Sequence, residues 1–518
     1  MSTRRTLLAA AGGMTAITSL SRLTGYARDK AVAALLGAGP VADAFYAGLA
    51  IPNMFRALLA EGALHAAFIP TLSDLERREN EKARRTFVRA MTGALAAVLP
   101  LLVAAGILAG PWLVRLFAPG LLLEGGDFDL AVRFTRQMFP YLAFISLAAL
   151  AQGVLNASGR FYLPAATPIL LNLCAVAGTA AAVLAGGSWW WMSAAVVFGG
   201  VLQLAVQLPA CARAGLPLWP VGGWWRHPEV RRVLGLMLPG IPALGVYQLT
   251  LLLSYRFASS VGPGAITARF NAVRLSELVY GGVIVQLTTA VLPMLAAERG
   301  RDPDEARRTL GFAARLISAV AVPAAVLLAV LASPVCGVLF GGGRYDLDAV
   351  RMTAGALAMY ACGLPFLGMT KLLASASYAW QDTRTPVWAA LGNLAVFFAA
   401  GTALTPRHGV GGIAAAASLG QLANALLLLW LNGRNGRLPK AVEVVPAVLK
   451  HVVAGAVAGL AVWAVAGRFG GLERTSVAGL ATVGLLYAGG VLVYLSCTAL
   501  LRSPEWCEIR AVIAARRA

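Results

Sequence analysis

Charged residues lie inside otherwise apolar segments of this 518-residue chain. Leaving out His65, the twelve considered as candidate site residues are eight cations and four carboxylates. The cations are Arg22, Arg28, Lys30, Arg56, Arg256, Arg269, Arg274 and Lys371, and the carboxylates are Asp29, Asp43, Glu61 and Glu277. Cations in excess favour an anionic ligand, and a planar guanidinium binds phosphate through two parallel hydrogen bonds. We therefore expect an anion site, with phosphate as the first candidate.

Residue patterns typical of enzymes do not occur in the sequence. There is no Gly-rich phosphate loop, no H-E-x-x-H pair and no Ser/His/Asp arrangement. The four histidines are scattered, and the six cysteines form no C-x-x-C pair and are interpreted as packing residues. The sequence therefore predicts a protein that is not an enzyme and that holds neither a metal nor a cofactor.

The composition around these charges is that of a helical membrane protein. Hydrophobic residues make up 59% of the chain and charged residues 13%, whereas soluble domains carry about 25% charged residues. The formal charge of +20 is spread over many short loops, so nucleic acid is not an expected partner. The predicted fold class is all-α, a polytopic membrane protein with no separate soluble domain.

Apolar runs predict about fourteen transmembrane helices, each near the length of about 20 residues that crosses a bilayer. They lie near 6–37, 41–72, 90–117, 130–157, 162–186, 190–212, 231–259, 264–296, 309–339, 349–378, 384–404, 409–432, 446–467 and 476–501. Lys and Arg gather in alternate loops and near both termini, while the loop at 118–129 is acidic. Because basic residues accumulate on the cytoplasmic side, both termini are expected in the cytoplasm.

An offset of 223 residues relates two halves of the chain. The tetrapeptide Ala-Arg-Arg-Thr occurs at 83–86 and again at 306–309, and Pro70, Pro100 and Pro111 correspond to Pro293, Pro323 and Pro334. Six helices lie within one offset, so corresponding helices cross in the same direction, about an axis along the membrane normal. The predicted domains are a first lobe at 1–222, a second at 223–440, and two extra helices with a cytoplasmic tail at 441–518. Parallel repeats of this kind are typical of transporters that work by alternating access.

The duplication also predicts that three arginines lie at a similar depth. Arg274 corresponds to the position just before Pro52, whose missing backbone donor predicts a kink. Asn53 and Arg56 share a helix face just beyond that proline, and Arg28 lies nearby on the first helix. We expect Arg28, Arg56 and Arg274 to converge on a phosphate-bearing substrate.

A structural role for the same charges is the competing interpretation. Ion pairs such as Arg22 with Asp29 and Arg274 with Glu277 would stabilise packing without binding a ligand. At about 100° per residue Arg22 and Asp29 point to nearly the same helix face, whereas Arg28 points about 100° away. Whether Arg22 binds substrate or forms an ion pair stays open at this point. The expected gate or supporting residues are Asp29, Asp43, Asn53, Glu61 and Glu277.

Short stretches that include these residues carry a family resemblance. Residues 21–29 read Ser-Arg-Leu-Thr-Gly-Tyr-Ala-Arg-Asp, and residues 52–56 read Pro-Asn-Met-Phe-Arg. Further matching stretches are Gly37-Ala38-Gly39, Asp43-Ala44-Phe45, Glu61-Gly62-Ala63 and Ala67-Phe68-Ile69-Pro70. Together with the fourteen-helix layout they resemble the MurJ (MviN) family of lipid II flippases in the MOP exporter superfamily. The stretch 271–277 around Arg274 matches more loosely.

The resemblance implies transfer of lipid II, the undecaprenyl-pyrophosphate-linked peptidoglycan precursor, from the inner to the outer leaflet of the bacterial cytoplasmic membrane. By the same resemblance the family's functional arginines match Arg22, Arg28, Arg56 and Arg274, and its outer-end aspartate matches Asp43. The two extra helices would line a groove for the polyprenyl tail. Expected partners are lipid II, membrane lipids and the peptidoglycan synthesis machinery. Coupling to the membrane potential or to an ion gradient is left open.

Three other functions are compatible with parts of the sequence. A MATE-like exporter of organic cations would need an excess of intramembrane carboxylates, and the excess of arginine counts against it. A flippase for another polyprenyl-linked oligosaccharide would use the same arginine chemistry. A membrane glycosyltransferase or ligase acting on the same lipid carrier would need a carboxylate or histidine base that faces water.

Overall fold

The computed structural model describes residues 2–58, 64–77, 81–123, 125–469, 472 and 474–504. Within these ranges the chain is helical and forms no β-strand, apart from one isolated antiparallel bridge between Gly342 and Tyr345. The all-α fold class is therefore confirmed.

The described ranges contain eighteen α-helices, and each of the fourteen predicted segments overlaps at least one of them. The first ten are α1 Ser2–Leu36, α2 Pro40–Arg56, α3 His65–Arg77, α4 Glu81–Leu108, α5 Gly110–Phe117, α6 Phe128–Met138, α7 Tyr141–Ala157, α8 Tyr162–Leu184, α9 Trp190–Arg213 and α10 Pro228–Ser259. The others are α11 Ala265–Val279, α12 Val285–Arg299, α13 Pro303–Val330, α14 Ala332–Phe340, α15 Leu347–Ala379, α16 Arg384–Arg434, α17 Ala441–Ala466 and α18 Val477–Leu500.

Proline and glycine divide several of the predicted segments into two helices. Pro140 lies between α6 and α7, which bend by 40° at the break. In the 51-residue α16 the interruption is Gly409, with φ 55° and ψ −134°, a conformation that favours glycine. It lies at the boundary between the predicted segments 384–404 and 409–432, so α16 contains both. A five-residue π-helical segment, Tyr280–Ile284, joins α11 to α12.

Eight of the described helices are long and apolar enough to cross a membrane, or nine if the bent pair α6 and α7 is one span. They are α4, α8, α9, α13, α15, α16, α17 and α18. The helix α1, which carries Arg22, Arg28, Asp29 and Lys30, is not among them. A polytopic membrane protein is confirmed, and the count of fourteen spans stays a prediction.

The chain divides into two compact units, Met1–Pro263 and Gly264–Ala518. This division by contacts includes α10 in the first unit. The lobes predicted from the repeat, which divide the chain at 222 and 440, are a division by internal similarity and stay a prediction.

Close helix packing builds the first unit and holds α1 in place. Phe68 of α3 stacks on Phe87 of α4 with their ring centroids 5.3 Å apart. Gly153 of α7 lies opposite Phe68, where an added Cβ would be 3.1 Å from the ring. The helix α8 packs against α1, the helix that carries Arg28. Small residues at such contacts let helices approach closely when no hydrophobic force drives them together within lipid.

In the second unit α13 packs against both α15 and α17. Gly455 and Gly459 of α17 face valines of α13, and an added Cβ on Gly459 would lie 2.5 Å from Val326. Tyr494 of α18 donates a hydrogen bond to the Ala319 carbonyl of α13 at 2.8 Å, and its hydroxyl lies 2.8 Å from His451 Nδ1. The two extra C-terminal helices are thus fixed on α13 by close packing and by buried polar contacts.

Candidate functional site

In the first unit the side chain of Arg28 is held by the carboxylate that follows it in sequence. Its Nη2 lies 2.7 Å and its Nε 2.9 Å from Asp29 Oδ1, and the two side chains are 16% and 5% exposed. The angle of about 100° between neighbouring residues does not keep the two apart, because the long arginine side chain bends back to the carboxylate. Arg28 is therefore an ion-pair partner of Asp29. The helix faces on which the two residues lie did not predict this pair.

A third contact to Arg28 comes from Asn172 of α8. Arg28 Nη1 donates to Asn172 Oδ1 at 3.1 Å, across 144 residues of sequence. The Nδ2 of the same amide donates to the Ser21 carbonyl at 3.3 Å and to Thr24 Oγ1 at 3.2 Å. Asn172 is 6% exposed. This residue was not predicted from the sequence, although a single amide within the apolar segment 162–186 is a signal, since polar residues inside a membrane are costly and have functional roles.

These contacts leave part of the guanidinium of Arg28 available. A guanidinium has five N–H donors, and three of those of Arg28 are used by Asp29 and Asn172. In the described part of the chain one donor on each terminal nitrogen stays available. Two donors at the end of a planar fork match a phosphate group.

The other predicted residues of the first unit lie on α1 and α2. Arg22 is an exposed residue of α1. Asp43 is 2% exposed in the first turn of α2, after Pro40, where the helix dipole favours a carboxylate. Asn53 and Arg56 are half-buried in the last turn of α2, three positions apart and so on one face. Glu61 lies outside the described residues.

In the second unit Arg274 of α11 forms an exposed ion pair. Its Nη1 lies 3.1 Å from Glu277 Oε2, and the two side chains are 45% and 47% exposed. The guanidinium also lies over the Phe270 ring, 5.0 Å from its centroid. The competing interpretation named this ion pair, and it is present. An exposed ion pair contributes about 0–1 kcal/mol, so an anionic ligand can replace Glu277 at little cost.

Buried hydrogen bonds position the helix that carries Arg274. Asn271 Nδ2 donates to the Tyr345 hydroxyl at 3.2 Å, and that hydroxyl lies 2.5 Å from Thr353 Oγ1. All three residues are at most 1% exposed. The contacts join α11 to the loop before α15 and to α15 itself. They fix the turn of α11 from which Arg274 projects.

No group of three or more metal-ligating side chains occurs in the part of the chain that the structure describes. The prediction that the protein uses no metal or cofactor stays a prediction. The site residues described above supply cations, carboxylates and an amide. They are suited to binding an anion rather than to a covalent step.

The sequence as a whole matches one protein family. The family model described as "Lipid II flippase MurJ" matches residues 32–478. This range begins after Arg22, Arg28 and Asp29, and includes Asp43, Arg56 and Arg274. The chain is 38% identical over 429 residues to "Lipid II flippase MurJ" of Burkholderia cenocepacia, covering 82% of each sequence.

Solved structures share the fold. A structure titled "Lipid II flippase MurJ, inward closed conformation" matches with a TM-score of 0.79 and 22% identity, over 94% of this chain and 98% of that one. An inward-facing MATE family transporter of the MOP superfamily matches with a TM-score of 0.64 and 14% identity, over 80% of this chain and 98% of that one. The fold is therefore common to flippases and to multidrug transporters, and it does not by itself separate the two functions.

Proposed function

The chain belongs to the MurJ family of lipid II flippases, and on that basis we propose that it moves lipid II from the inner to the outer leaflet of the bacterial cytoplasmic membrane. The observation that carries the proposal is the match to the B. cenocepacia flippase, at 38% identity over 82% of both chains. Lipid II joins a polyprenyl tail to a sugar-peptide head group through a pyrophosphate. The role of the protein is transport, not catalysis.

We propose that Arg28 binds the pyrophosphate. Its two available N–H donors fit two phosphate oxygens, and a guanidinium stays charged at every physiological pH. Asp29 orients the guanidinium and offsets part of its charge. A site with partly offset charge can release its anion on the far side of the membrane, which a flippase must do in each cycle.

We propose that Arg56, Arg274 and Arg22 also bind the head group of the substrate. Arg56 lies at the end of α2 on the same face as Asn53. Arg274 can exchange its exposed partner Glu277 for a phosphate oxygen. Asp43, at the start of α2, and Glu61 are proposed to act in gating.

Alternating access would release the head group outward while the tail stays in lipid. An inside-negative potential favours outward movement of negative charge by about 2.3 kcal/mol per charge per 100 mV. The potential therefore drives the step in the productive direction, and no cofactor is required. Both termini are proposed to lie in the cytoplasm, on the side where the loops rich in Lys and Arg are expected. Membrane lipids and the peptidoglycan synthesis machinery are the proposed further partners.

Complementation tests this proposal. A bacterial strain depleted of its own lipid II flippase would receive the wild-type chain or single variants Arg28→Ala, Arg56→Ala or Arg274→Ala, each checked for membrane level. We expect the wild type to restore growth and the three variants to fail. Gly489→Ala should also restore growth, because no atom lies within 4 Å of the Cβ that it adds.

Two results would contradict the proposal. If the wild type reaches the membrane and does not restore growth, the proposal of lipid II transport fails, and another polyprenyl-linked oligosaccharide becomes the leading candidate substrate. If all three arginine variants restore growth, the arginines stabilise packing and do not bind substrate.

A further inference from the structure

We propose that Asn172 of α8 is a positioning residue for Arg28, which sets the direction of the two donors that bind the phosphate. The proposal rests on the proposed function, since it assumes that Arg28 is the anion-binding group. No sequence motif includes Asn172. Its assignment comes from three hydrogen bonds that join α8 to one stretch of α1, residues 21–28.

The partners of Asn172 determine which way its amide faces. The Ser21 carbonyl can only accept a hydrogen bond, so the amide nitrogen must lie beside it. The Thr24 hydroxyl is bonded to that same carbonyl at 2.9 Å and accepts the second amide hydrogen. The amide oxygen is then turned toward Arg28, which can only donate. A flipped amide would face two clashes of like groups, so the orientation is fixed by chemistry.

Asn172 supplies a second point of attachment for the guanidinium. Asp29 binds Nε and Nη2 through one oxygen atom, Oδ1, and a group held at one atom can pivot about it. Asn172 binds Nη1, on the other side of the guanidinium. With both contacts the plane of the fork is fixed before substrate arrives. A binding group that is already ordered loses less conformational entropy when it binds.

An amide suits this position better than a carboxylate. Asn172 is neutral, so it orients Arg28 without removing its charge. A second carboxylate beside Arg28, added to Asp29, would make the local charge negative and would repel an anion. It would also place a carboxylate oxygen, in place of the amide nitrogen, against the Ser21 carbonyl.

Binding measurements on the purified full chain in detergent test the proposal. The probe is undecaprenyl pyrophosphate, titrated into the wild type, Asn172→Ala, Asn172→Asp and Arg28→Ala. We expect Asn172→Ala to weaken binding by about tenfold, as loss of an outer-shell partner does at other sites, and Asn172→Asp to weaken it more. The matched control is Asn432→Ala, which removes another buried amide, on α16, bonded to Ser377 and to the Leu373 carbonyl. It should lower the melting temperature and leave the affinity unchanged.

A double variant separates positioning from an independent effect. If Asn172 acts through Arg28, then Asn172→Ala should cause no further loss of affinity in the Arg28→Ala background. Losses that add in the double variant would overturn the proposal, and so would an Asn172→Ala protein that binds as tightly as the wild type. If Arg28→Ala itself binds as the wild type does, the proposed anion site fails instead. The two failures are therefore distinguishable.

Discussion

Arg28 shows how a residue can be both an ion-pair partner and a candidate ligand. From the sequence, ion pairing and anion binding were two alternative interpretations of the intramembrane charges. In the structure the ion pair with Asp29 uses two donors of the guanidinium, and Asn172 uses one more. Such a pair orients the remaining donors, so pairing and ligand binding support each other.

Replacing Arg28 with lysine tests whether geometry matters beyond charge. Arg28→Lys keeps the positive charge but offers one compact ammonium in place of a planar fork. It cannot bind Asp29, Asn172 and two phosphate oxygens together. We expect a loss of at least about tenfold in the affinity for undecaprenyl pyrophosphate, at normal membrane level. Binding equal to the wild type would show that charge alone is sufficient.

The residue types of the site could be predicted, but the contacts between them could not. Arg28, Arg56 and Arg274 stand out in the sequence because charges inside apolar segments are costly. The bond from Arg28 to Asn172 spans 144 residues and has no spacing signal. The angle between residues around the helix axis did not predict the pairing of Arg28 with its sequence neighbour, because the long arginine side chain reaches beyond its own helix face.

At the scale of helices, interruptions at proline and glycine were the features most easily predicted from the sequence. Gly409 interrupts α16 at the boundary between two predicted segments. The π-helical segment Tyr280–Ile284 was not predicted, although it contains Gly281 and Gly282, because a single π-helical turn differs little in length from an ordinary turn. Packing between distant helices, such as α17 on α13, depends on tertiary contacts that periodicity does not encode.

Gly459 tests the packing of α17 against α13. A Cβ added there would lie 2.5 Å from Val326 Cγ1, so Gly459→Ala forces one helix or the valine to move. We expect a cost of about 1–3 kcal/mol, as in other overpacked interiors, seen as a lower melting temperature. Gly489→Ala on α18 is the control, since no atom lies within 4 Å of its added Cβ. Equal melting temperatures for the two variants would show that the contact is not tight.

The loop between α15 and α16 carries a polar cluster that makes stability depend on pH. Burial would raise the pKa of Asp382, but hydrogen bonds from Thr385 and the ion pair with Arg437 outweigh it and hold the pKa well below its usual value. A carboxyl with a lowered folded pKa stabilises the fold above its unfolded pKa of about 3.9, and loses that effect as the pH falls below it.

Asp382→Asn should therefore lower the melting temperature at pH 7 by about 2–5 °C. The difference from the wild type should shrink as the pH is lowered below about 4, because the unfolded wild-type chain then takes up a proton on this carboxyl, which the folded chain binds only at a lower pH. Thermal unfolding of both proteins in detergent from pH 7 to pH 3 measures this. A difference that stays constant over that range would contradict the assignment of the stabilisation to the ionised carboxyl.

At the scale of the whole molecule the chain is a lipid II flippase of the MurJ family, built on a fold that multidrug transporters share. The sequence gives the fold class through its apolar runs and the family through short motifs. This chain carries arginine in excess of carboxylate among the candidate residues of its apolar segments.

Translocation by the purified protein is the most direct test of this account. The full chain would be reconstituted into vesicles that carry lipid II with a fluorescent head group, and a membrane-impermeant quencher would be added outside. We predict that the wild type and Gly489→Ala bring the head groups of the inner leaflet within reach of the quencher, and that Arg28→Ala does so at least about tenfold more slowly. A wild-type protein that leaves the inner-leaflet fraction protected, at the same level as empty vesicles, would contradict the account.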